Sequence, residues 1–178
     1  VQDSYVDILA ATDQIDEAIQ QQETILEQNP EEVAARVRMA ELYDAAEKPD
    51  LAGRAVLEAF ELTDKAEIDI LRTTKFLEKL KQFDLAEERL EEGLKAFPES
   101  EEIAEMKGSL LFLQEKDEDA VSWFRSVAEM APSGQLVRIT NLLIREDHAG
   151  TALELLQSRR KDLSDDFAFL EALIQLSA

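Results

Sequence analysis

The segment DLAEERLEEGLKAFP, residues 84–98, decides the fold, because its pattern occurs four times along the chain. An acidic residue stands two positions before an alanine, and a proline follows twelve positions after that alanine. The counterparts are DEAIQQQETILEQNP at 16–30, DLAGRAVLEAFELTD at 50–64 and EDAVSWFRSVAEMAP at 118–132, where only the copy at 50–64 ends without proline. Successive copies start 34 residues apart, which indicates an internal repeat of that length.

Small side chains follow the same period in two places of each unit. One series consists of alanines, and a second consists of small or nearly small residues twelve positions earlier. The members are Ala18, Ala52, Ala86 and Ala120 in the first series, and Val6, Ala40, Thr74 and Gly108 in the second. One such series could arise by chance, whereas several series in one phase across four units indicate a true repeat.

The local pattern between these positions is helical. Apolar residues recur at intervals of three and four, and only 5 of the 178 residues are glycine. Prolines at 30, 98 and 132 end apolar-periodic segments, and Asp50 and Asp84 are predicted to cap the helices that follow them. The predicted helices are 3–12, 14–28, 31–45, 49–62, 65–80, 84–96, 99–114, 117–130, 134–146, 148–160 and 165–177.

A 34-residue unit of two helices resembles the tetratricopeptide repeat family. The residues that carry the resemblance are Ala40, Tyr43, Ala52, Val56 and Ala59 in the second unit, Leu77, Ala86, Leu90 and Pro98 in the third, and Gly108, Leu111, Ala120, Phe124, Val127 and Pro132 in the fourth. The resemblance implies an all-α, right-handed superhelical solenoid of antiparallel helix pairs, in which the first helix of each pair lines a concave groove. We expect a single domain over 1–178, with repeats at 1–32, 33–66, 67–100, 101–134 and 135–164 and an unpaired helix at 165–177.

The chain departs from the family pattern in two ways. Leu142 stands where the family has a small residue, and the spacing from Ala120 to Ala152 is 32, which puts helix packing in the fifth unit in doubt. The glycine that the family places between paired helices is also missing, and this weakens the predicted helix ends. The residues found there are Asp13, Glu47, Lys81 and Glu115.

Composition excludes several classes of function. The net charge of -21 argues against nucleic acid and anionic membranes as partners, and no apolar run is long enough to insert into a membrane. The chain has no Cys and a single histidine, His148, which we place in a surface turn. Paired carboxylates are interpreted as solvated helix starts. We therefore predict no enzyme activity, no catalytic residue, no metal site and no cofactor.

Binding is the function that the resemblance implies, and it places the groove residues on the first helices. Family members that clamp the C-terminal carboxylate of chaperones use paired Lys, Asn and Arg there; Arg38 and Arg72 match and the others do not, so chaperone tails are not expected. We predict a scaffold or adaptor whose groove takes a peptide or helix of a partner protein. The candidate contact residues are Arg38, Glu41, Leu71, Arg72, Lys75, Ser109, Phe112, Ile139 and Leu143.

The first 35 residues hold nine acidic side chains and no basic one. A field of one sign can steer an oppositely charged partner toward its site. The alternative interpretation is general solubility of an acidic protein. We expect the partner to be a basic or amphipathic protein or peptide.

The two ends leave other interpretations open. Helix 165–177 is apolar nearly all round, so it either continues into further repeats of a longer chain or forms a homo-oligomer interface. The alternatives to an adaptor are a self-assembling module that packs through its terminal helices and a non-catalytic domain of a larger enzyme or secretion-type complex. We expect a soluble protein, and composition does not choose between cytoplasm and periplasm.

Overall fold

A computed structural model describes residues 2–177, with side chains from Ser4 to Leu176, and this part of the chain consists of eleven α-helices without a strand. The predicted all-α fold is confirmed, and every predicted helix is present with bounds within two residues of those expected. The helices are α1 Gln2–Ala11, α2 Ile15–Gln28, α3 Val33–Ala45, α4 Pro49–Glu61, α5 Glu67–Lys79, α6 Phe83–Ala96, α7 Glu101–Leu113, α8 Asp117–Ala128, α9 Ser133–Arg145, α10 Ala149–Arg159 and α11 Phe167–Ser177.

The helices group into two compact units. Unit 1 ends at Phe97 and contains α1 to α6, while unit 2 begins at Pro98 and contains α7 to α11. Within each unit every helix packs against the next one in the chain, and short turns join them. The break falls close to the predicted boundary between the third and fourth repeats. The repeat limits and the single domain stay predictions.

The repeated alanines are buried in the described part of the chain. Ala18, Ala52, Ala86, Ala120 and Ala152 are all fully buried. An alanine side chain lets two helix backbones approach, because nothing beyond Cβ separates them. The 34-residue period therefore marks the positions where packing tolerates least volume.

The turns inside the helix pairs adopt the left-handed conformation without glycine. The N–H of the following residue donates to a carbonyl five residues back, as Lys48 N does to Tyr43 O at 2.9 Å. This geometry closes the helix end and requires a positive φ at the residue before the donor. The residues with that φ in these turns are Asp13, Glu47, Lys81, Glu115 and Asp147, at 56° to 66°.

The prediction that Asp50 and Asp84 are the N-cap residues of α4 and α6 is wrong. Lys48 and Gln82 occupy the N-cap positions, so Asp50 and Asp84 lie inside the first turn. Neither helix has a side-chain cap hydrogen bond, because the left-handed turn delivers the chain directly into the helix. The two carboxylates act there through the helix dipole. Ser100, in contrast, does cap α7 through Ile103 N.

Unit 2 has an aromatic core between α7 and α8. The Phe124 ring lies directly against Gly108, where a Cβ would stand 2.1 Å from Phe124 Cζ. Trp123 is half-buried, and its Nε1 donates to Ala104 O at 2.8 Å. Phe124 is therefore a core residue of unit 2. Leu142 is half-buried against the same cluster, so the larger residue is accommodated in the fifth helix pair.

One arginine side chain secures the end of α8. Arg159 Nη1 donates to the carbonyls of Ala128, Glu129 and Ala131 at 2.6, 3.0 and 3.2 Å. Carbonyls at a helix C-terminus lack partners inside the helix, and a cation also suits the negative end of the dipole. This contact ties α10 to the start of the turn before α9.

The apolar side chains of helix α11 are only partly exposed. Phe169 and Leu173 are buried in the core of unit 2, and Phe167 and Ile174 remain 80% and 69% exposed. Asp166 begins the helix, accepting from Phe169 N at 3.0 Å and from Ser133 Oγ at 2.6 Å. These two hydrogen bonds lower the pKa of the Asp166 carboxyl, with the bond to Ser133 as the larger cause. Half of the helix is thus an ordinary core element.

Candidate functional site

A cavity of about 270 Å³ lies between α3, α4 and α5 of unit 1, and we call it the Arg72 pocket. Its wall is largely apolar, with a polar edge contributed by α5 and the turn after α4. The lining residues are Val33, Val37, Val56, Ala59, Phe60, Thr63, Asp69, Arg72, Thr73 and Phe76.

Helical spacing places these side chains together. On α5, Arg72 and Phe76 are four residues apart and share one face, as Val33 and Val37 do on α3. The floor comes from α4, where Phe60 is almost fully buried and held by the core of the unit. The pocket is thus a gap between two first helices of neighbouring pairs, closed below by the second helix of one pair.

The charge at the rim of the pocket is uncompensated. Arg72 is exposed and forms no ion pair among the described residues. Asp69, the acidic residue nearest in the lining, accepts a hydrogen bond from Ala66 N at 3.2 Å and so serves the start of α5. A cation beside an apolar cavity can bind a carboxylate whose neighbouring side chain fills the cavity.

The other predicted residues of unit 1 have different roles. Arg38 Nη1 pairs with Asp7 Oδ1 at 2.7 Å, and its Nε lies 3.7 Å from Glu41 Oε2. Leu71 is half-buried, while Lys75 is exposed one turn from Arg72. Arg38 is therefore already used within the unit.

Two predicted residues of unit 2 are core. Ile139 and Leu143 are fully buried in the cluster formed with α10 and α11, so no partner reaches them. The expectation that they line a groove is corrected, because α9 turns its apolar positions toward its own unit.

Phe112 and Ser109 are half-buried. The Phe112 ring stacks on His148 with centroids 5.4 Å apart and lies 6.3 Å from Phe124. His148 is in the turn predicted for it, but its ring is half-buried by that stacking. Phe112 therefore has a packing role inside unit 2.

The sequence interpretation missed the aromatic and aliphatic wall of the Arg72 pocket. Phe76 was detectable, because it lies one turn after Arg72 on the predicted helix. Val56 and Phe60 belong to a second helix of a pair, whereas the family resemblance implies a groove lined by first helices. Their contribution became visible only once α4 was seen beneath the gap between α3 and α5.

The described residues contain neither a candidate metal cluster nor a candidate membrane-spanning helix. No group of three or more His, Asp or Glu side chains in this part of the chain is arranged to hold a metal ion. Among the same residues, no helix has the length and apolar character that a membrane crossing requires.

Comparisons with known proteins place the fold. Residues 77–134 match the sequence profile described as tetratricopeptide repeat, and no curated protein matches significantly. MamA from Desulfovibrio magneticus RS-1 is similar at 16% identity and a TM-score of 0.53, over 93% of this chain and 95% of that one. PilF of Pseudomonas aeruginosa is similar at 17% identity and a TM-score of 0.50, over 98% of this chain and 90% of that one.

A third similar structure is that of Naa15/Naa10 bound to HypK-THB, at 17% identity and a TM-score of 0.56. The match covers 95% of this chain and 27% of that one. At such identities the likeness concerns the fold. Proteins of this fold are generally protein-interaction modules and typically non-catalytic. Over residues 77–134 the chain is similar to the tetratricopeptide repeat family, and the 34-residue period and the repeated helix pairs agree with that similarity.

Proposed function

We propose that the protein is a protein-interaction module and that the Arg72 pocket of unit 1 receives a segment of its partner. An apolar side chain of that segment enters the cavity, and a carboxylate beside it pairs with Arg72. The observation that carries the proposal is an apolar cavity with an unpaired arginine at its rim.

The size of the cavity suits a side chain. At about 270 Å³ it is just below the volume of pockets that hold whole ligands, which span about 300–1,000 Å³. The exposed Lys75, one turn along α5 from Arg72, extends the positive surface beyond the cavity. A peptide that lies across α5 would thus contact the apolar cavity first and then one or both of the cations Arg72 and Lys75.

The fold supports another protein as the partner. Proteins of this fold are generally interaction modules, and Naa15/Naa10, which is similar in fold, forms a complex with HypK-THB. The net charge of the chain makes the choice of binding position more specific. At -21 it repels an acidic segment, except where local cations such as Arg72 and Lys75 attract it. Arg72 is therefore expected to determine which acidic segment binds.

The test is selection of peptides from a displayed random library on the wild-type protein, followed by affinity measurement for the enriched sequences. Selected peptides should share an aliphatic or aromatic residue next to a carboxylate. Arg72→Glu should weaken their binding by about tenfold or more, since it replaces an attraction by a repulsion. Val37→Asp should weaken it comparably by placing a charge in the apolar wall.

Arg54→Glu is the matched control. Arg54 is also an exposed arginine of unit 1 without an ion pair among the described residues, but it lies outside the Arg72 pocket. The control should leave the affinity within about twofold. Enriched peptides that bind equally well to the Arg72→Glu and Val37→Asp variants would overturn the proposal.

Self-assembly remains a second candidate function because α11 keeps two large apolar side chains exposed. Phe167 and Ile174 lie seven residues apart on one face of the helix. Phe167→Asp combined with Ile174→Asp should convert an oligomer to a monomer in light scattering. Substitutions at Phe169 or Leu173 do not test this idea, since both are core residues.

A further inference from the structure

A second cavity of unit 1 is separate from the Arg72 pocket. It has a volume of about 550 Å³ and lies between the second helices α2 and α4, with α3 behind them; we call it the Tyr43 pocket. Its lining residues are Glu23, Leu26, Glu27, Arg36, Met39, Tyr43, Leu51, Arg54, Ala55 and Glu58. No residue is shared with the Arg72 pocket.

The floor of the Tyr43 pocket is apolar and its rim keeps an exposed leucine. Met39 is nearly fully buried, and Leu26 and Tyr43 are half-buried. Leu51 at the rim is 40% exposed, although it belongs to an otherwise amphipathic helix with a well-covered inner face. Apolar surface of this kind, bordered by charged groups, is typical of a protein contact.

The two arginines of the pocket form no ion pair with the glutamates that α2 contributes to it, Glu23 and Glu27, among the described residues. Arg36 Nη1 pairs with Glu58 Oε2 at 2.5 Å, and its Nη2 donates to Pro30 O at 2.8 Å. Its charge is therefore occupied inside the unit. Arg54 lies across the cavity on α4 and has no ion pair with any described residue.

Glu23 and Glu27 form the α2 side of the cavity. They are four residues apart on one face, both are exposed, and neither has a basic partner among the described residues. Both belong to the first 35 residues, which carry nine acidic side chains and no basic one. Burial, followed by the charges of Glu23 and Glu58, raises the pKa of the Tyr43 hydroxyl, so this group stays a neutral hydrogen-bonding partner at the floor.

We propose that the Tyr43 pocket binds a basic amphipathic segment of another protein. An aliphatic side chain of that segment packs on Leu26, Met39 and Leu51, and a lysine or arginine beside it pairs with Glu23 and Glu27. Charge complementarity selects this occupant. Arg36 is paired with Glu58, and Arg54 lies across the cavity without an ion pair among the described residues. The cations that pair with the two glutamates must therefore come from the partner.

The proposal is independent of the one made for the Arg72 pocket. The two cavities share α3 and α4 but have different rims. The Arg72 pocket has an unpaired arginine, whereas the α2 side of the Tyr43 pocket has two glutamates without a basic partner among the described residues, with Arg54 across the cavity. A single module would then hold two segments of opposite charge, or two partners at once. Each site has its own substitutions, so failure of one proposal is distinguishable from failure of the other.

The test uses a fluorescent synthetic peptide of lysine and leucine that forms an amphipathic helix, with a matched peptide in which glutamate replaces lysine. Fluorescence anisotropy at physiological ionic strength gives the affinities. The double variant Glu23→Lys with Glu27→Lys should weaken binding of the lysine peptide by about tenfold or more. Leu51→Ser, at an exposed position that the fold tolerates, should weaken it by about threefold through lost apolar contact.

The control double variant is Glu31→Lys with Glu32→Lys, which changes the net charge equally in the same acidic region outside the cavity. It should alter the affinity by less than about twofold, as should Arg72→Glu. An equal loss in the control would mean a diffuse acidic field and would overturn the site. So would equal affinity for the glutamate peptide, an unchanged affinity of the Leu51→Ser variant, or no binding to the wild type.

Discussion

The helix pairs α5–α6 and α7–α8 occupy the same repeat positions in different units, and they solve the same packing problem with different chemistry. Thr74 and Glu78 of the first pair correspond to Gly108 and Phe112 of the second, 34 residues later. In α5 the Thr74 hydroxyl and one Glu78 carboxylate oxygen are buried without a hydrogen-bond partner. In α7 the same two positions accommodate an aromatic cluster.

The difference follows from how volume is shared between the paired helices. Leu90 on α6 corresponds to Phe124 on α8, and both are fully buried. The larger ring leaves room only for glycine opposite it, whereas leucine leaves room for threonine. The repeat therefore determines which positions are buried, and the neighbouring helix determines what can stand there.

The largest expected effect comes from removing the space beside Phe124. Gly108→Ala would place a Cβ 2.1 Å from Phe124 Cζ in a fully buried site, so the ring must move. We expect a net loss of about 2 kcal/mol in the free energy of unfolding of unit 2, since overpacking outweighs the better helix propensity of alanine. Urea unfolding followed by Trp123 fluorescence measures it.

Gly150→Ala provides the control in the same unit. Gly150 is also helical, but a Cβ there meets no atom within 4 Å. This variant should be as stable as the wild type or slightly more stable. Equal destabilisation by both substitutions would mean that the contact with Phe124 is not the cause.

A smaller effect of opposite sign is expected at Thr74. Thr74→Val removes a buried hydroxyl that has no partner among the described residues, so the desolvation cost disappears and unfolding should require about 1 kcal/mol more. The matched control is Thr140→Val, at an equally buried threonine whose Oγ1 donates to Val137 O at 2.9 Å. Thermal unfolding followed by far-UV circular dichroism should rank the Thr74 variant above wild type and the Thr140 variant below it.

The turns of the two pairs should respond alike. Lys81 and Glu115 have φ values of 58° and 60°, a conformation that glycine adopts without strain. Lys81→Gly and Glu115→Gly should each stabilise by about 0.5 kcal/mol, the relief of strain being partly offset by a more flexible unfolded chain. A clear difference between the two variants in thermal midpoint would contradict the view that the turn is common to both units.

The last prediction concerns pH. Burial raises the pKa of the Glu78 carboxyl, and the Lys75 ammonium lowers it by less. Because the folded state then binds more protons than the unfolded state above the ordinary pKa of glutamate, the Glu78 contribution to stability falls as pH rises through that window. Glu78→Gln should therefore gain over wild type at neutral pH, and the gap should narrow in acid.

Urea midpoints of the two proteins across the acidic and neutral range provide the measurement. Glu88→Gln is the control, because Glu88 is an exposed glutamate of the neighbouring helix α6. A gap between wild type and Glu78→Gln that stays constant with pH would show that the buried charge does not cause the difference.

The helices could be predicted well because their signals are local. Apolar spacing and prolines set their limits, and the period of 34 grouped them in pairs. The caps at Asp50 and Asp84 could not be predicted in this way. They depend on the left-handed turn before the helix, and glycine, the usual sign of that turn, is absent at Glu47 and Lys81.

The candidate site was only partly predictable. Arg72 was predictable because helical spacing puts it on a first helix, whereas its lack of an ion pair among the described residues is visible only in the structure. Ile139 and Leu143 have the same spacing on α9, yet they are buried, because α10 and α11 cover that face. Periodicity identifies an apolar face but does not say whether another helix or a partner covers it.

The sequence by itself determined the helical class, the repeat length, the buried alanines and the concentration of acidic charge in the first 35 residues, since each depends on spacing and composition along one chain. Only the tertiary structure decided that Arg38 is paired while Arg72 is not, and that Glu23 and Glu27 stand over an apolar floor. Ion pairing and cavities depend on distances between side chains of different helices, and these distances are set by packing.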